Sequence, residues 1–287
     1  MNNKNIMHEL RERCIEVTGK APDWEWENIE LAHSFFSDAE SRELYAQEIL
    51  HKADPIFPSP FSWEQQEQSQ NTAREMLSDG TLPELEGPLE YLIFCYATGF
   101  VRKQYRYGNI VQFEQGERLY DCGACCGEIS VQCALNGGSS VAFEPVPGTA
   151  EYLDKNAARY GQIFPVRIGV GDKDEQKMFN TQNHIGSNYV SDQEGDMLVE
   201  LRRIDSLVQE YGVPTFIKMD LEGYEVPALL GARETISRYK PKLAVCLYHK
   251  PSDMWDIPLL LKQYVPEYRM YCKKSACPCE FVLFCVI

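Results

Sequence analysis

The stretch Leu119-Tyr120-Asp121-Cys122-Gly123-Ala124-Cys125-Cys126-Gly127-Glu128 sets an acid, two glycines and small residues at what reads as a first strand-to-helix turn. Gly123 can take a backbone angle closed to other residues, and Gly127 lets the following helix pack close. The pattern is not the dinucleotide fingerprint G-x-G-x-x-G, because Ala124 and Cys125 fill its middle and an acid comes first. An acid at a strand end repels a pyrophosphate but suits a cationic or hydroxyl-rich ligand. Glu144, followed by Pro145, ends the next apolar run, 23 residues after Asp121. A carboxylate there can accept both hydroxyls of a ribose. Acid, open glycine turn and second acid, in that order, describe a cationic nucleoside, S-adenosylmethionine.

A second group lies further along. Lys218-Met219-Asp220-Leu221-Glu222-Gly223 closes a run that begins at Thr215, and His249 follows the run Leu243 to Leu247. Neighbouring strand ends bring such residues together without sequence adjacency. Methyl transfer from a sulfonium is an in-line displacement governed by positioning, and a hydroxyl acceptor needs a base for its proton. Histidine titrates near neutral pH, so His249 is the expected base or orienter and Asp220 the residue that fixes geometry at the methyl group. The competing reading makes Asp220 and Glu222 caps of the helix starting near Tyr224, and for Glu222 it is preferred. His184, with Ser187 and Asn188, is a weaker site candidate, while His8, His33 and His51 read as surface or packing residues.

Asp220, Glu222 and His249 are also oxygen and nitrogen ligands of the kind that hold Mg²⁺, but nothing in their spacing demands an ion, and no metal is expected. Cys122-x-x-Cys125 and the terminal Cys272, Cys277, Cys279 and Cys285 invite a zinc reading. The first pair occupies the cofactor turn, where tetrahedral ligation would close the site, and Cys277-Pro-Cys279 lacks the usual two-residue spacer. Free core thiols are the expectation.

The elements that must position these residues alternate after residue 110. Strands are expected at Arg118–Cys122, Ser140–Glu144, Ile163–Val170, Thr215–Met219, Leu243–Leu247 and Glu280–Val286. Helices are expected at Gly127–Leu135, Gly148–Tyr160, Ile204–Tyr211 and Val226–Tyr239, and Gln176 to Tyr189 reads as irregular. Such alternation implies a doubly wound, mainly parallel α/β sheet with its ligand at the carboxyl ends of the strands. Residues 1–109 read as a helical extension and 110–287 as the cofactor-binding domain. In the extension, Ser37-Asp38-Ala39-Glu40 has capping-box spacing and Asp54 to Pro60 is a break. Trp63 to Leu77 reads as an exposed helix. Leu89 to Val101 is apolar nearly all round, so it should pack on a larger surface, as a cap that influences acceptor choice or as a homodimer contact.

Four stretches carry a resemblance: YDCGACCGEIS, VAFEPVP followed by Asn156, FIKMDLEGYEVPALLGA, and KPKLAVCLYHKPSDMWDIP. In that order, over roughly residues 118 to 287, the sequence resembles the FkbM family of S-adenosylmethionine-dependent methyltransferases. FFSDAESRELY also resembles an N-terminal helix of some longer members. The resemblance implies a class I methyltransferase fold, Rossmann-like, with a final antiparallel strand, and O-methylation as the usual activity. Carried onto this chain, Asp121, Gly123 and Gly127 line the cofactor turn around Ala124, and Glu144 with Pro145 holds the ribose. Cys122, Cys125 and Cys126 depart from the aliphatic or aromatic residues more common in that turn, which bears on substrate shape more than on cofactor binding.

Composition narrows the partners. The 287 residues carry 28 Lys plus Arg against 43 Asp plus Glu, a formal net charge of −15. With no basic patch to offset it, that charge disfavours nucleic acid and anionic membranes. The longest apolar stretch, Pro88 to Val101, contains Glu90 and is too short to span a bilayer. The N-terminus lacks the apolar core of a signal peptide, and eleven cysteines are too sparse for a disulfide scaffold, so a cytoplasmic protein is expected. The leading expectation is O-methylation of a small molecule or glycan. An NAD-dependent oxidoreductase on a similar sheet and a non-catalytic nucleoside-binding module are the alternatives.

Overall fold

The computed structural model describes residues 6–181, 186–191, 195–274 and 280–287. Six of its strands follow the expected ones: β1 (Arg118–Cys122), β2 (Ser139–Phe143), β3 (Ile163–Val166), β8 (Phe216–Met219), β9 (Lys242–Cys246) and β11 (Val282–Val286). With β10 (Arg269–Lys273) they form one sheet in the order β10-β11-β9-β8-β1-β2-β3. All pairings are parallel except those of β11, which runs antiparallel to both β9 and β10. Four of the five residues of β1 and all four of β8 are buried, as expected for strands covered on both faces. The chain reverses direction across the sheet between β1 and β8, and both functional groups fall on that edge.

Besides β10, which was not foreseen, four short strands depart from expectation. The single strand foreseen over Ile163–Val170 breaks after Val166, and β4 (Gly169–Val170) leaves for a second sheet. That sheet contains β5 (Glu175–Asn180), β6 (Tyr189–Ser191) and β7 (Met197–Arg202), in the order β4-β7-β5-β6. Much of β5 lies in the stretch read as irregular. Its sequence EQKMFN buries only Phe179, too thin an alternation to announce a strand.

Helices cover both faces of the main sheet: α1 (Ile6–Thr18), α2 (Trp26–Ser34), α3 (Ala39–Ala53), α4 (Trp63–Ser78), α5 (Leu89–Cys95), α6 (Glu128–Leu135), α7 (Pro147–Tyr160), α8 (Ile204–Tyr211), α9 (Glu225–Leu230), α10 (Arg233–Tyr239) and α11 (Asp253–Tyr264). The helix expected over Val226–Tyr239 is split between α9 and α10. At the split, a Cβ on Gly231 would stand 1.9 Å from the Gly171 carbonyl oxygen, and the Asp205 carboxylate accepts the Glu234 and Thr235 amides that begin α10. A π-helical turn, Tyr96–Val101, continues α5. Among the described residues, no helix is long and apolar enough to cross a membrane.

The helices foreseen as an extension over residues 1–109 share their cores with the α/β part. Ile29, Phe36, Tyr45 and Ile49 lie in one cluster with Ile217, Met219, Leu243 and Met270. Leu92, Tyr96 and Ala97 join Val131, Leu153 and Ala157 in another. The α3 cap is Asp38, which accepts the Ser41 amide at 2.7 Å, and not Ser37 as its spacing suggested. The Ser37 hydroxyl instead accepts the Met270 amide, and the Ser41 hydroxyl accepts that of Cys272, so α3 covers the outer edge at β10. Ser62 and Gln65 form a capping box on α4, whose Ser69 and Ala73 are buried.

Candidate active site

The first cavity opens at the carboxyl ends of β1, β2 and β8. Gly123 is needed there twice over: its φ is +77°, and a Cβ on it would stand 2.0 Å from the Asp220 backbone oxygen. Gly127, at φ +84°, enters α6 where a Cβ would meet the Leu153 side chain at 2.5 Å. The amides of Gly123 and Ala124 donate to the Phe143 carbonyl and tie the turn to β2. Gly123, Cys125, Glu144, Pro145, Val146 and Thr149 line one side of the cavity. Ala124 and Gly127, expected as cofactor residues, do not line it; Ala124 is 2% exposed, and Gly127 serves helix packing.

Glu144 sits as expected. Its Oε2 accepts the Cys125 amide at 3.0 Å and its Oε1 the Val146 amide at 2.9 Å. A carboxylate has about four lone-pair sites, so acceptor capacity remains for two hydroxyls. Burial pushes its carboxyl up to about 7, against the pull of those amides and of Lys218.

Asp121 requires a correction, because it is fully buried behind the cavity and does not line it. The Ser130 hydroxyl donates to its Oδ2 at 2.7 Å, and the Lys218 ammonium stands 3.3 Å from its Oδ1. Lys218 in turn donates to the Gly123 carbonyl at 2.7 Å and does line the cavity. Asp121 therefore acts through Lys218, holding a buried cation that alone would be costly. Burial opposes that charge, but Asp121, Asp220 and Glu128 hold the ammonium above the usual lysine range.

The second group assembles around Asp220. Tyr105 donates to its Oδ2 at 2.7 Å and Tyr248 to its Oδ1 at 2.9 Å. Burial would raise its carboxyl, yet Lys218, His249 and the two phenols keep it below the ordinary aspartate value. His249 Nε2 is 3.6 Å from both Asp220 Oδ1 and Glu222 Oε2, and Nδ1 is 2.8 Å from Glu225 Oε1. Glu225 is fully buried, and the same Oε1 accepts the Leu221 amide. Burial disfavours a charged ring, but Glu222, Glu225 and Asp220 outweigh it and hold the imidazole at about 10. His249 is thus an imidazolium at neutral pH and lines neither cavity at this edge. The three carboxylates beside it, which its own strand does not announce, favour a charged ring over the expected neutral base. Asp220, Glu225 and His249 present ligand atoms within 4.8 Å of one another. The imidazolium answers one of these carboxylate charges.

Beyond Asp220 lies a second cavity, walled by Trp63, Tyr91, Phe94, Tyr105 and Tyr248. It shares Tyr91, Glu128, Gly186, Asp220 and Glu222 with the first. Ser187 lines the second cavity and Asn188 the first, whereas His184 falls outside the described residues, as do Cys277 and Cys279. The other nine cysteines are buried and free. Sequence reasoning passed over Glu128, Lys218, Tyr105, Tyr248, Glu225 and Glu280. Glu128, Lys218, Glu225 and Tyr248 stood inside motif stretches already singled out, whereas Tyr105 and Glu280 did not.

Residues 121–274, more than half of the chain, match the model of the Methyltransferase FkbM domain. The fold is also that of the FkbM methyltransferase from Methylobacillus flagellatus, at TM-score 0.60 and 21% identity, covering 91% of this chain and 58% of that one. Weaker likenesses include the precorrin-6y C5,15-methyltransferase of Geobacter metallireducens, with TM-score 0.41, 9% identity and coverage of 66% and 87%. Aeropyrum pernix fibrillarin with natively bound S-adenosyl-L-methionine gives 0.35, 10%, and 68% and 74%. No curated protein matches. The sheet order with its antiparallel final strand is that of a class I methyltransferase, and the chain belongs to the FkbM methyltransferase family.

Proposed function

We propose that the protein binds S-adenosylmethionine in the first cavity and methylates a hydroxyl of a small molecule or glycan held in the second. The observation that carries this reading is the shared wall: Tyr91, Glu128, Gly186, Asp220 and Glu222 border both cavities, as a group transfer between two ligands requires. The first cavity fits the cofactor, with a cradle at Gly123 that a Cβ would fill and spare acceptor capacity on Glu144 for a ribose diol. Bound there, S-adenosylmethionine supplies an electrophilic methyl group on a sulfonium. Asp220, held ionised by Lys218 and two phenols, offsets positive charge at the shared wall.

The acceptor proton needs another base than His249. Glu128 borders both cavities, its Oε2 has no hydrogen-bond partner among the described residues, and burial raises its carboxyl to about 7. A base titrating near working pH combines availability with driving force. Calorimetry with S-adenosylmethionine and S-adenosylhomocysteine tests the first half of the reading. An acceptor screen scored for S-adenosylhomocysteine tests the second. Absence of binding by either nucleoside would refute the cofactor assignment.

A further inference from the structure

Glu280 opens the approach to β11 and borders only the second cavity, so the cofactor does not account for it. It is 8% exposed, and its Oε2 has no hydrogen-bond partner among the described residues. Gln66 Oε1 and Glu128 Oε2 face the same cavity equally unpartnered. Four of the donors on these walls are committed elsewhere. Tyr105 and Tyr248 donate to Asp220, the Gln104 amide to Tyr105, and the Thr98 hydroxyl to the Cys95 carbonyl. Among the described residues bordering the cavity there is no Lys, Arg or His, while Glu128, Asp220, Glu222 and Glu280 are all acids. The cations around it, Lys218, His249 and Lys274, are engaged by Asp121, by the carboxylate trio and by Glu48.

Buried acceptors without donors cost free energy until something supplies both hydrogens and positive charge. An anionic acceptor would meet repulsion here, and a neutral polyol would leave the charge of the acids unanswered. Aromatic walls add attraction for an ammonium through their ring faces. We propose that the acceptor is an amino alcohol of the amino-sugar kind, whose protonated amine docks on Glu280 while its hydroxyl faces Glu128 and Asp220. The inference rests on the reading of the second cavity as the acceptor site.

One consequence is measurable without turnover. In the empty cavity burial and the neighbouring acids Asp220 and Glu222 hold the Glu280 carboxyl well above the ordinary glutamate value, with His249 and Lys218 opposing. Lys274, Cys95, Tyr105 and Tyr248 also interact with it electrostatically, and Tyr91 and Glu128 border the same cavity. An arriving ammonium favours the ionised carboxylate and so opposes that upward shift. Amine binding should therefore be accompanied by proton release and tighten as pH rises toward the amine's own pKa.

The test uses the full chain saturated with S-adenosylhomocysteine, whose binding is established first. Glucosamine, 2-deoxystreptamine and spermidine, each beside its N-acetylated form, and glucose are titrated calorimetrically in two buffers of different ionisation enthalpy. Glucosamine or 2-deoxystreptamine is expected to bind about tenfold or more tighter than its acetylated form, the size of one charge-assisted hydrogen bond. Proton release should accompany it, and Glu280→Gln should abolish both while S-adenosylhomocysteine affinity stays. Binding by spermidine alone would overturn the amino-alcohol assignment. The wild-type comparison of amine with amide stands even if the variant folds poorly. Equal binding of amine and amide, preference surviving in Glu280→Gln, or no amine binding at all would overturn the inference. Failure of S-adenosylhomocysteine itself to bind would instead strike the cofactor reading.

Discussion

The two halves of the strand edge are built differently. At β1 and β2 the chemistry is mostly backbone: a turn that only glycine can make, two amides on Glu144, and a carbonyl tie to β2. At β8 and β9 it is side chains converging from separate segments, with Tyr105, Glu128, Asp220, Glu222, Glu225, Tyr248, His249 and Glu280 setting one another's charge. Three strand-end or turn acids show the effect. Asp121 is paired and hidden, Asp220 is held ionised, and Glu144 is pushed up to about 7. An acid's place in the topology selects where it stands; its neighbours decide what it does.

The comparison breaks first at Gly123. With φ at +77° and 2.0 Å to the Asp220 backbone oxygen, Gly123→Ala must displace either the cofactor turn or the end of β8. The expected outcome is loss of detectable S-adenosylmethionine binding by calorimetry together with a lowered melting temperature. Retained affinity would mean that the two halves are not locked through this backbone contact. Next in size is Glu128→Gln, which keeps the shape of the shared wall and removes the proposed base. The single-turnover rate should fall by roughly 10²–10⁴ while cofactor affinity holds.

The paired acids at β1 and β2 separate stability from binding. Asp121→Ala strands the Lys218 ammonium, which with its partner is almost fully buried. Breaking such a pair from one side should cost about 3–5 kcal/mol in denaturant unfolding. Glu144→Ala should leave unfolding closer to wild type and weaken S-adenosylmethionine binding by about ten- to a hundredfold, the value of a charge-assisted hydrogen bond. If Asp121→Ala proved the weaker binder and the more stable protein, the assignment of the two acids would have to be exchanged.

What the sequence disclosed follows the same division. The glycine turn, Glu144 and the strand–helix alternation are local patterns, and apart from the roles of Asp121, Ala124 and Gly127 they stand where the spacing put them. The second sheet escaped notice because its strands are short and largely polar, so no period stands out in Glu175–Asn180 or Met197–Arg202. The break between α9 and α10 depends on Gly231 approaching Gly171, a contact across sixty residues of sequence. Glu280 and Tyr105 reach the site from segments far apart in the chain, and neither lies in a motif with a recognisable spacing. The state of His249 was the least legible feature, since it is set by three carboxylates whose directions only the fold determines.

The smallest expected effect is the one a neutral imidazole would have made large. Were His249 the base, His249→Gln would cost about 10²–10⁴ in rate and remove a limb of the pH profile near neutrality. As an imidazolium bridging Asp220, Glu222 and Glu225, it should cost less than about tenfold, the lower bound for base removal not being reached, and the limb near 7 should persist because Glu128 carries it. The sign of its contribution to stability is also fixed. Its pKa is raised from 6.5 in the unfolded chain to about 10 in the fold. The stabilisation is therefore complete below 6.5 and is lost as pH rises through about 10. Ring resonances of His249 followed by NMR should stay in the protonated position across neutral pH and move only in the alkaline range. In His249→Gln the wild-type excess of unfolding stability should shrink over that interval, while cofactor binding at the β1 and β2 half stays unchanged. A ring that titrates near 6.5 would return the proton to His249 and make the two halves of the edge chemically alike.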